Sequence, residues 1–362
     1  MAIEGKIPLD KLNKTQVVSA LRNIFYPIAA VIAALIVCAV ILLALGLDPV
    51  LAYKKLFQGA FGSVNAISET LTRSVPLLFC ALSFAVAMRG GLVNLGATGQ
   101  LYIGALVGGA VGIYLVLPAP IHIPLVLAIG FLAGGLYGLV AAFLKNRFGV
   151  SELISTIMMN YVAIYLLNYF VTGPMKDVSA ANNLPQSALI SETAKLPGIM
   201  PGTRLHAGLF LAVAALVFYF VFFHKTPRGY RIRVSGLSPD VARYAGFSIK
   251  SNYLITMFIA GGLAGIAGCI MLMSVQSRLI HAFAQEIGFS GVAVALLGNN
   301  STLGIAFSTI LFAGLEGGAS KMPGAVTFML QGIILMFVLG QELFRFSHWR
   351  QKIGDGKKEV IA

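Results

Sequence analysis

The sequence predicts an all-α fold, a polytopic membrane protein of about ten transmembrane helices with two inverted repeats. Three observations carry this. Hydrophobic residues make up 58% of the chain and charged residues 11%, where a soluble domain carries about 25% charge. The apolar residues fall in long runs separated by short polar punctuation. Two segments, "LGATGQL" at 95–101 and "IGFSGVA" at 287–293, repeat the pattern apolar-Gly-x-Thr/Ser-Gly.

A spanning helix needs about 20 mostly apolar residues, so 362 residues hold about ten spans and no sizeable cytosolic catalytic domain. Read against their punctuation, the spans run about 24–46, 71–88, 93–117, 121–144, 152–172, 206–223, 252–275, 285–298, 302–319 and 324–345. The eighth, "EIGFSGVAVALLG", is short and glycine-interrupted, as half-helices beside transport paths are. The echoing segments fall on the third and eighth spans, an odd number of crossings apart, and so run in opposite directions. Residues 1–23 form a polar lead too long for a signal peptide and without its cleavage site. The first run is therefore a retained span, 24–345 is the membrane domain, and 346–362 is a tail.

Lys and Arg number 26 against 13 Asp and Glu, a net charge of +13. In a soluble protein this would suggest nucleic acid. Here the positive-inside rule accounts for it, and the partner is the lipid bilayer, with no nucleic acid. With the N-terminus inside, the cytoplasmic segments collect most cations, including Lys225, Arg228, Arg231, Arg233, Arg243 and Lys250. Lys54, Lys55, Arg73, Lys176, Lys195, Arg204, Arg278 and Lys321 are left outside. That asymmetry favours an even number of spans with both termini cytoplasmic. Cys38, Cys80 and Cys269 sit in apolar stretches without metal-ligand spacing, as reduced packing residues do.

Between the sixth and seventh spans, 224–251 forms a basic cytoplasmic loop. Pro227 and Gly229 are expected to end the preceding helix. Ser238 then caps a two-turn helix whose first turn carries Pro239 and Asp240, both favoured at a helix start, and Gly246 closes it. Spacing leaves two readings open: a solvated connector held by lipid phosphates, or a docking helix. The outside loop 173–205 is polar and rich in Pro and Ser, suited to contact a partner and expected to order in part on binding it.

The chain has no GxxxxGK[ST] phosphate loop and no pair of mid-span carboxylates for ion coupling; Glu152, Glu286 and Glu316 fall near span ends. His122, His206, His224, His281 and His348 are scattered, which argues against an intramembrane enzyme or a metal site. The polar residues within spans are neutral: Asn94, Thr98, Gln100 and Tyr102 on the third, Asn160, Tyr161, Asn168 and Tyr169 on the fifth, and Gln331 on the tenth. As a set they suit a path for an uncharged polar solute; singly, each also serves as an interhelical hydrogen bond. The clusters "GALVGGAVG", "GFLAGGLYG" and "GGLAGIAG" allow helices to approach closely.

Four ordered blocks, "GGLVNLGATGQLYIGA", "FGVSELISTIMMNYVA", "TPRGYRIRVSGLSPDVARYAGFSI" and "GFSGVAVALLGNNSTLGI", resemble signature segments of the permease subunits of ATP-binding-cassette importers for nucleosides and simple sugars, the guanosine-type nucleoside branch above all. The resemblance implies a ten-span permease of a bacterial cytoplasmic membrane, importing nucleosides, or alternatively ribose or another simple sugar. It implies pairing with a second, usually non-identical permease, two cytoplasmic ATP-binding subunits and an extracellular substrate-binding lipoprotein. ATP is used by those partners, and no cofactor is bound by this chain. Ser238, Pro239, Asp240, Ala242, Arg243, Tyr244 and Gly246 then resemble the coupling helix that engages the ATPase. Two departures stand out: Thr98 where the family pattern has an acid, and Asn299-Asn300-Ser301-Thr302 where it has an Arg-led pair and a proline.

Overall fold

In the computed structural model, the described residues are 31–44, 46–177, 184–281, 283–284 and 287–319, with positions 332, 333 and 336. The chain divides into two compact units, Met1–Lys54 with Met322–Ala362, and Lys55–Lys321. The first contains α1 (Val31–Ala44), whose Leu35 carbonyl accepts from the Tyr53 hydroxyl. The boundary falls within α2 (Pro49–Phe61), and the second unit holds α3 (Val64–Arg89), α4 (Ala97–Tyr114), α5 (Ala119–Phe148), α6 (Glu152–Thr172), α7 (Gly208–Lys225), α8 (Pro227–Leu237), α9 (Pro239–Tyr244), α10 (Ile249–Met271), α11 (Ile287–Leu297) and α12 (Thr302–Ala319). The described residues contain no strand, only isolated bridges.

Among the described residues, six helices are long and apolar enough to cross a membrane: α3, α4, α5, α6, α7 and α10 with its π-helical extension to Gln276. α1, α11 and α12 are apolar but shorter. The expected tenth span, 324–345, lies outside the described residues apart from isolated positions, as do 1–23 and 346–362. At 11 residues, α11 is about 16 Å long, half a bilayer core, as its glycine-broken sequence predicted.

The core is a seam between α4, α5 and α10. An added Cβ at Gly265 would lie 2.2 Å from the Gly130 carbonyl oxygen, and one at Gly261 would lie 2.3 Å from that of Gly134. On the other side of α10, a Cβ at Gly268 would lie 2.1 Å from the Leu101 carbonyl oxygen. The three glycine clusters thus meet one another, and only hydrogen fits between the backbones. Cys269 Sγ fills the gap among them, 3.3 Å from the Gly104 carbonyl oxygen. Cys38, Cys80 and Cys269 are all free and buried.

Three local expectations are corrected. α2 arises in a stretch read as a connector, where Asp48 Oδ1 accepts from the Val50 N–H at 2.9 Å and starts the helix. Pro227 does not merely end α7; it begins α8, because Pro lacks the amide that position N1 would orphan and the Thr226 hydroxyl accepts from the Gly229 N–H. The third span starts at Ala97, after a non-helical break over 92–96.

The described part of the loop 173–205 is also more ordered than its composition suggests. Residues 178–183 lie outside the described residues, but 184–207 pack onto the ends of α4 and α10: the Ser191 N–H donates to the Gly112 carbonyl and the Leu196 N–H to the Met273 carbonyl. Ile190, Ala194 and Leu196 of this segment are buried.

Candidate functional site

Two sets of residues carry the candidate chemistry: the polar side chains of α4 and α6, and the basic end around α8 and α9. Asn94, in the break before α4, is buried and forms a reciprocal amide pair with Gln100, its Nδ2 donating to Gln100 Oε1 at 2.9 Å and its Oδ1 accepting from Gln100 Nε2 at 3.2 Å. The same Nδ2 donates to Ser83 Oγ on α3, and the same Oδ1 accepts from the Gly96 N–H. Asn160 of α6 clamps the break from the other side, accepting from the Gly99 N–H at 2.7 Å and donating to the Leu95 carbonyl at 2.8 Å. Thr156 Oγ1 accepts from the Leu95 N–H.

These amides do the work of a missing helical turn. A break in the membrane leaves backbone groups that cost several kcal/mol each if unpaired, and Asn94, Asn160 and Thr156 pair them. Tyr102 is likewise buried, its hydroxyl accepting from the Ala284 N–H at 3.2 Å. Of the nine polar span residues named in the sequence, four, Asn94, Gln100, Asn160 and Tyr102, are therefore buried with hydrogen bonds inside the chain, and Gln331 lies outside the described residues. Others differ. Thr98 Oγ1 and Asn168 Oδ1 are buried atoms without a hydrogen-bond partner, and Tyr161 is 56% exposed.

The two echoing segments meet. They begin α4 and α11, and an added Cβ on Gly288 would lie 2.1 Å from Thr98 Oγ1 and 2.6 Å from the Thr98 nitrogen. A side chain longer than threonine at 98 would have to displace the start of α11.

At the basic end, α9 forms as its sequence predicts, though it is six residues long rather than two full turns. Ser238 Oγ accepts from the Val241 N–H, and Gly246 closes the turn at φ +75°, a left-handed conformation that glycine adopts freely. Ala242 is fully buried, whereas Leu237, Val241 and Tyr244 are 87%, 57% and 93% exposed. Arg243 and Asp240 pair at 3.1 Å on the exposed face. The result is an apolar knob on a polar, basic surface, held from below: Asn252 Nδ2 of α10 donates to Ser235 Oγ of α8 at 2.7 Å. A cavity of about 530 Å³ lies behind it, lined by Arg228, Arg231, Phe247 and Ser251 among others.

The end of α8, which carries the knob, touches the end of α3. A Cβ on Gly236, at the end of α8, would lie 2.5 Å from the Arg89 carbonyl oxygen and 2.6 Å from the Gly91 nitrogen. Any displacement of α8 therefore presses on the end of α3 and on Gly91, next to the break that Asn94 and Asn160 brace.

Sequence reasoning missed a third cluster. Arg89 Nη2 donates to the Asn300 carbonyl at 2.9 Å, Arg89 Nε to the Tyr219 hydroxyl at 3.2 Å, and the Tyr219 hydroxyl to the Asn300 carbonyl at 2.7 Å. This ties α3, α7 and the α11–α12 turn together. Asn299 and Asn300 both sit at φ +50°, which asparagine tolerates better than most residues. The only available sequence signal was the Asn-Asn pair itself.

Residues 66–339 match the family described as branched-chain amino acid transport system / permease component. The chain belongs to that family of membrane permease components. Among curated relatives, it is 35% identical to the nucleoside ABC transporter permease protein NupB of Lactococcus lactis subsp. cremoris, over 88% of this chain and 91% of the relative. It is 33% identical to the guanosine ABC transporter permease protein NupP of Bacillus subtilis, over 91% and 97%. It is 35% identical to the glucose ABC transporter permease protein TsgB13 of Haloferax volcanii, over 88% of each. No solved structure gives a significant match. As a member of this family the chain is a multi-pass membrane permease subunit, a class that is not itself enzymatic.

Proposed function

We propose that this chain is a permease subunit of an ATP-driven importer that carries nucleosides, guanosine-like ones foremost, across a bacterial cytoplasmic membrane. The observation that carries the ATP-driven part is the knob of α9. Large apolar side chains outside a membrane seldom stand free without a partner to bury them, and Leu237, Val241 and Tyr244 stand together on an element capped at Ser238, closed at Gly246 and seated through Ala242. Pro239, Asp240 and Arg243 complete its exposed rim. A cytoplasmic ATP-binding subunit that grips this knob moves α8, and through Gly236 against Gly91 it moves the break before α4. The chain is then a lever biasing inward- against outward-facing states.

The family supports ATP-binding subunits and a substrate-binding protein as partners, and our reading of the remainder of the assembly is this. Two ATP-binding subunits supply the energy, a second, non-identical permease completes the path, and a substrate-binding lipoprotein meets the 173–205 face. Ten spans in two inverted repeats with both termini cytoplasmic remain our reading, supported by the contact of the two echoing segments and by the cations gathered at the α8–α9 end. The nucleoside assignment rests on the likeness to NupB and NupP. The equal identity to TsgB13 favours a sugar as the second reading.

Uptake of radiolabelled guanosine, with adenosine, uridine and ribose as competitors, tests the assignment in cells with and without the chain. Loss of guanosine uptake on deletion, restored by complementation only when the ATP-binding subunit is present, is the expected result. Intact guanosine uptake with a fall in ribose uptake would move the solute to sugars.

A further inference from the structure

Lipid-facing helix surfaces are hydrocarbon, because a hydroxyl in the bilayer core finds no water to bond. Among the described residues, the bare faces of α7 and α12 obey that rule and that of α6 departs from it. On α7 the exposed side chains include Phe210, Val213 and Val217, and on α12 Leu303 and Phe307. On α6 they include Tyr161, Tyr165 and Tyr169, at 56%, 70% and 63% exposure.

The three tyrosines are spaced i, i+4, i+8, so they rise along one face with about 6 Å between successive rings. The opposite face, with Asn160, Ala163 and Leu167, is buried against the rest of the unit. Tyr161 is the tenth residue of a 21-residue helix, which sets its ring near mid-membrane if α6 crosses upright, with Tyr165 about 6 Å further on. That is too deep for an interfacial aromatic belt. The other buried or membrane-depth phenols are handled differently: Tyr102, Tyr137 and Tyr219 each have a hydrogen-bond partner. Asn168 lies on the tyrosine side of α6, and its buried Oδ1 has no donor.

From this we infer that the α6 face bearing Tyr161, Tyr165 and Tyr169 is the solute-facing wall of the translocation path, with its phenol rings stacking on the base of the transported nucleoside. The inference rests on the permease reading above and sharpens it. The buried amides of α4 brace the wall, and the solute meets the tyrosines. Uncharged rings in a row offer equivalent stacking surfaces at successive depths, each weak enough to leave, and base–aromatic stacking tolerates any base. The phenol hydroxyls gain water and solute partners in such a path, which a lipid face would deny them.

The test is cysteine accessibility in the complete transporter, in membrane vesicles. Tyr165→Cys is compared with Val217→Cys, which lies at similar depth on the hydrocarbon face of α7; the native cysteines are buried. A charged, membrane-impermeant thiosulfonate reagent should label Tyr165→Cys and leave Val217→Cys untouched, and guanosine, unlike ribose, should slow that labelling by about tenfold. In uptake, Tyr161→Leu should raise the KM for guanosine by about tenfold while Tyr161→Phe, which keeps the ring, changes it less than about twofold. An unlabelled Tyr165→Cys overturns the wall. Labelling that guanosine fails to slow, or that ribose slows equally, overturns the stacking role, as does disulfide capture by the second permease without solute protection. Guanosine uptake by the unaltered transporter is measured alongside, because its absence overturns the nucleoside reading itself, whereas its presence with an unlabelled cysteine overturns only the tyrosine wall.

Discussion

Arg89 donates to the backbone carbonyl of Asn300 at 2.9 Å across 211 residues of sequence. Tyr219 donates to the same oxygen and also accepts from Arg89, so one carbonyl gathers two donors from two helices. A half-buried guanidinium held this way loses its only described partners if the cluster is cut, and charge-assisted bonds are the stronger kind.

Tyr219→Phe removes one donor and one acceptor without changing the ring. It should lower the stability of the purified protein by about 1–2 kcal/mol. Arg89→Ala should cost more and reduce uptake by at least about tenfold, since it also frees the end of α3 on which Gly236 presses. Thermal unfolding in detergent and uptake in cells measure the two effects.

The glycine seam predicts a sharp contrast. Gly265→Ala forces a methyl to within 2.2 Å of the Gly130 carbonyl oxygen, and backbone cannot give way as a flexible side chain can. The expected result is loss of folded protein, with overpacking costs of about 1–3 kcal/mol or more. Gly112→Ala places its methyl 3.6 Å from Ala194 Cβ, an ordinary contact, and should be tolerated. Membrane yields of the two variants decide it.

His206 gives the segment before α7 an acid sensitivity. It lies just before α7, 3% exposed, its Nδ1 accepting from the Gly208 N–H while Nε2 has no partner. Burial pulls its pKa from 6.5 to about 4. The unfolded chain binds the proton first as pH falls, so stability from the neutral ring is complete above about 6.5 and lost as pH falls toward 4. The unfolding temperature should therefore drop between pH 7 and pH 5, and His206→Gln should flatten that part of the profile.

The knob of α9 makes the next prediction. Tyr244→Ala removes a residue that is 93% exposed, so insertion and yield should be unchanged while recruitment of the ATP-binding subunit weakens by about tenfold or more. Arg243→Glu and Gly246→Glu should uncouple ATP hydrolysis from uptake, the second also through its positive φ. Co-purification of the ATP-binding subunit measures recruitment in each.

Much of this was legible in the sequence for local reasons. Ser238 as a cap, Gly246 as a left-handed stop, α11 as a half-helix and the glycine clusters as contact surfaces each depend on residues within a few positions of one another. What was not legible depends on distant partners. For the amides Asn94, Gln100 and Asn160 the sequence left both a solute path and an interhelical hydrogen bond open, because it cannot show the broken backbone beside them that takes up their hydrogen bonds. Pro227 read as a helix end because the same residue marks a start when the preceding Thr226 caps it. The Arg89–Asn300 bond joins sites too far apart for any local pattern, and Tyr161 differed from its neighbours only once its face was seen to be bare.

The most direct test of the account joins the knob to the path in one preparation. The complete transporter is reconstituted in proteoliposomes with the substrate-binding protein, and ATP hydrolysis and guanosine accumulation are measured together for the unaltered chain and for Gly246→Glu. The account predicts that guanosine accumulates with hydrolysis in the first, and that in the second hydrolysis and accumulation are no longer linked although the chain is inserted normally. Equal accumulation per ATP in both would contradict it.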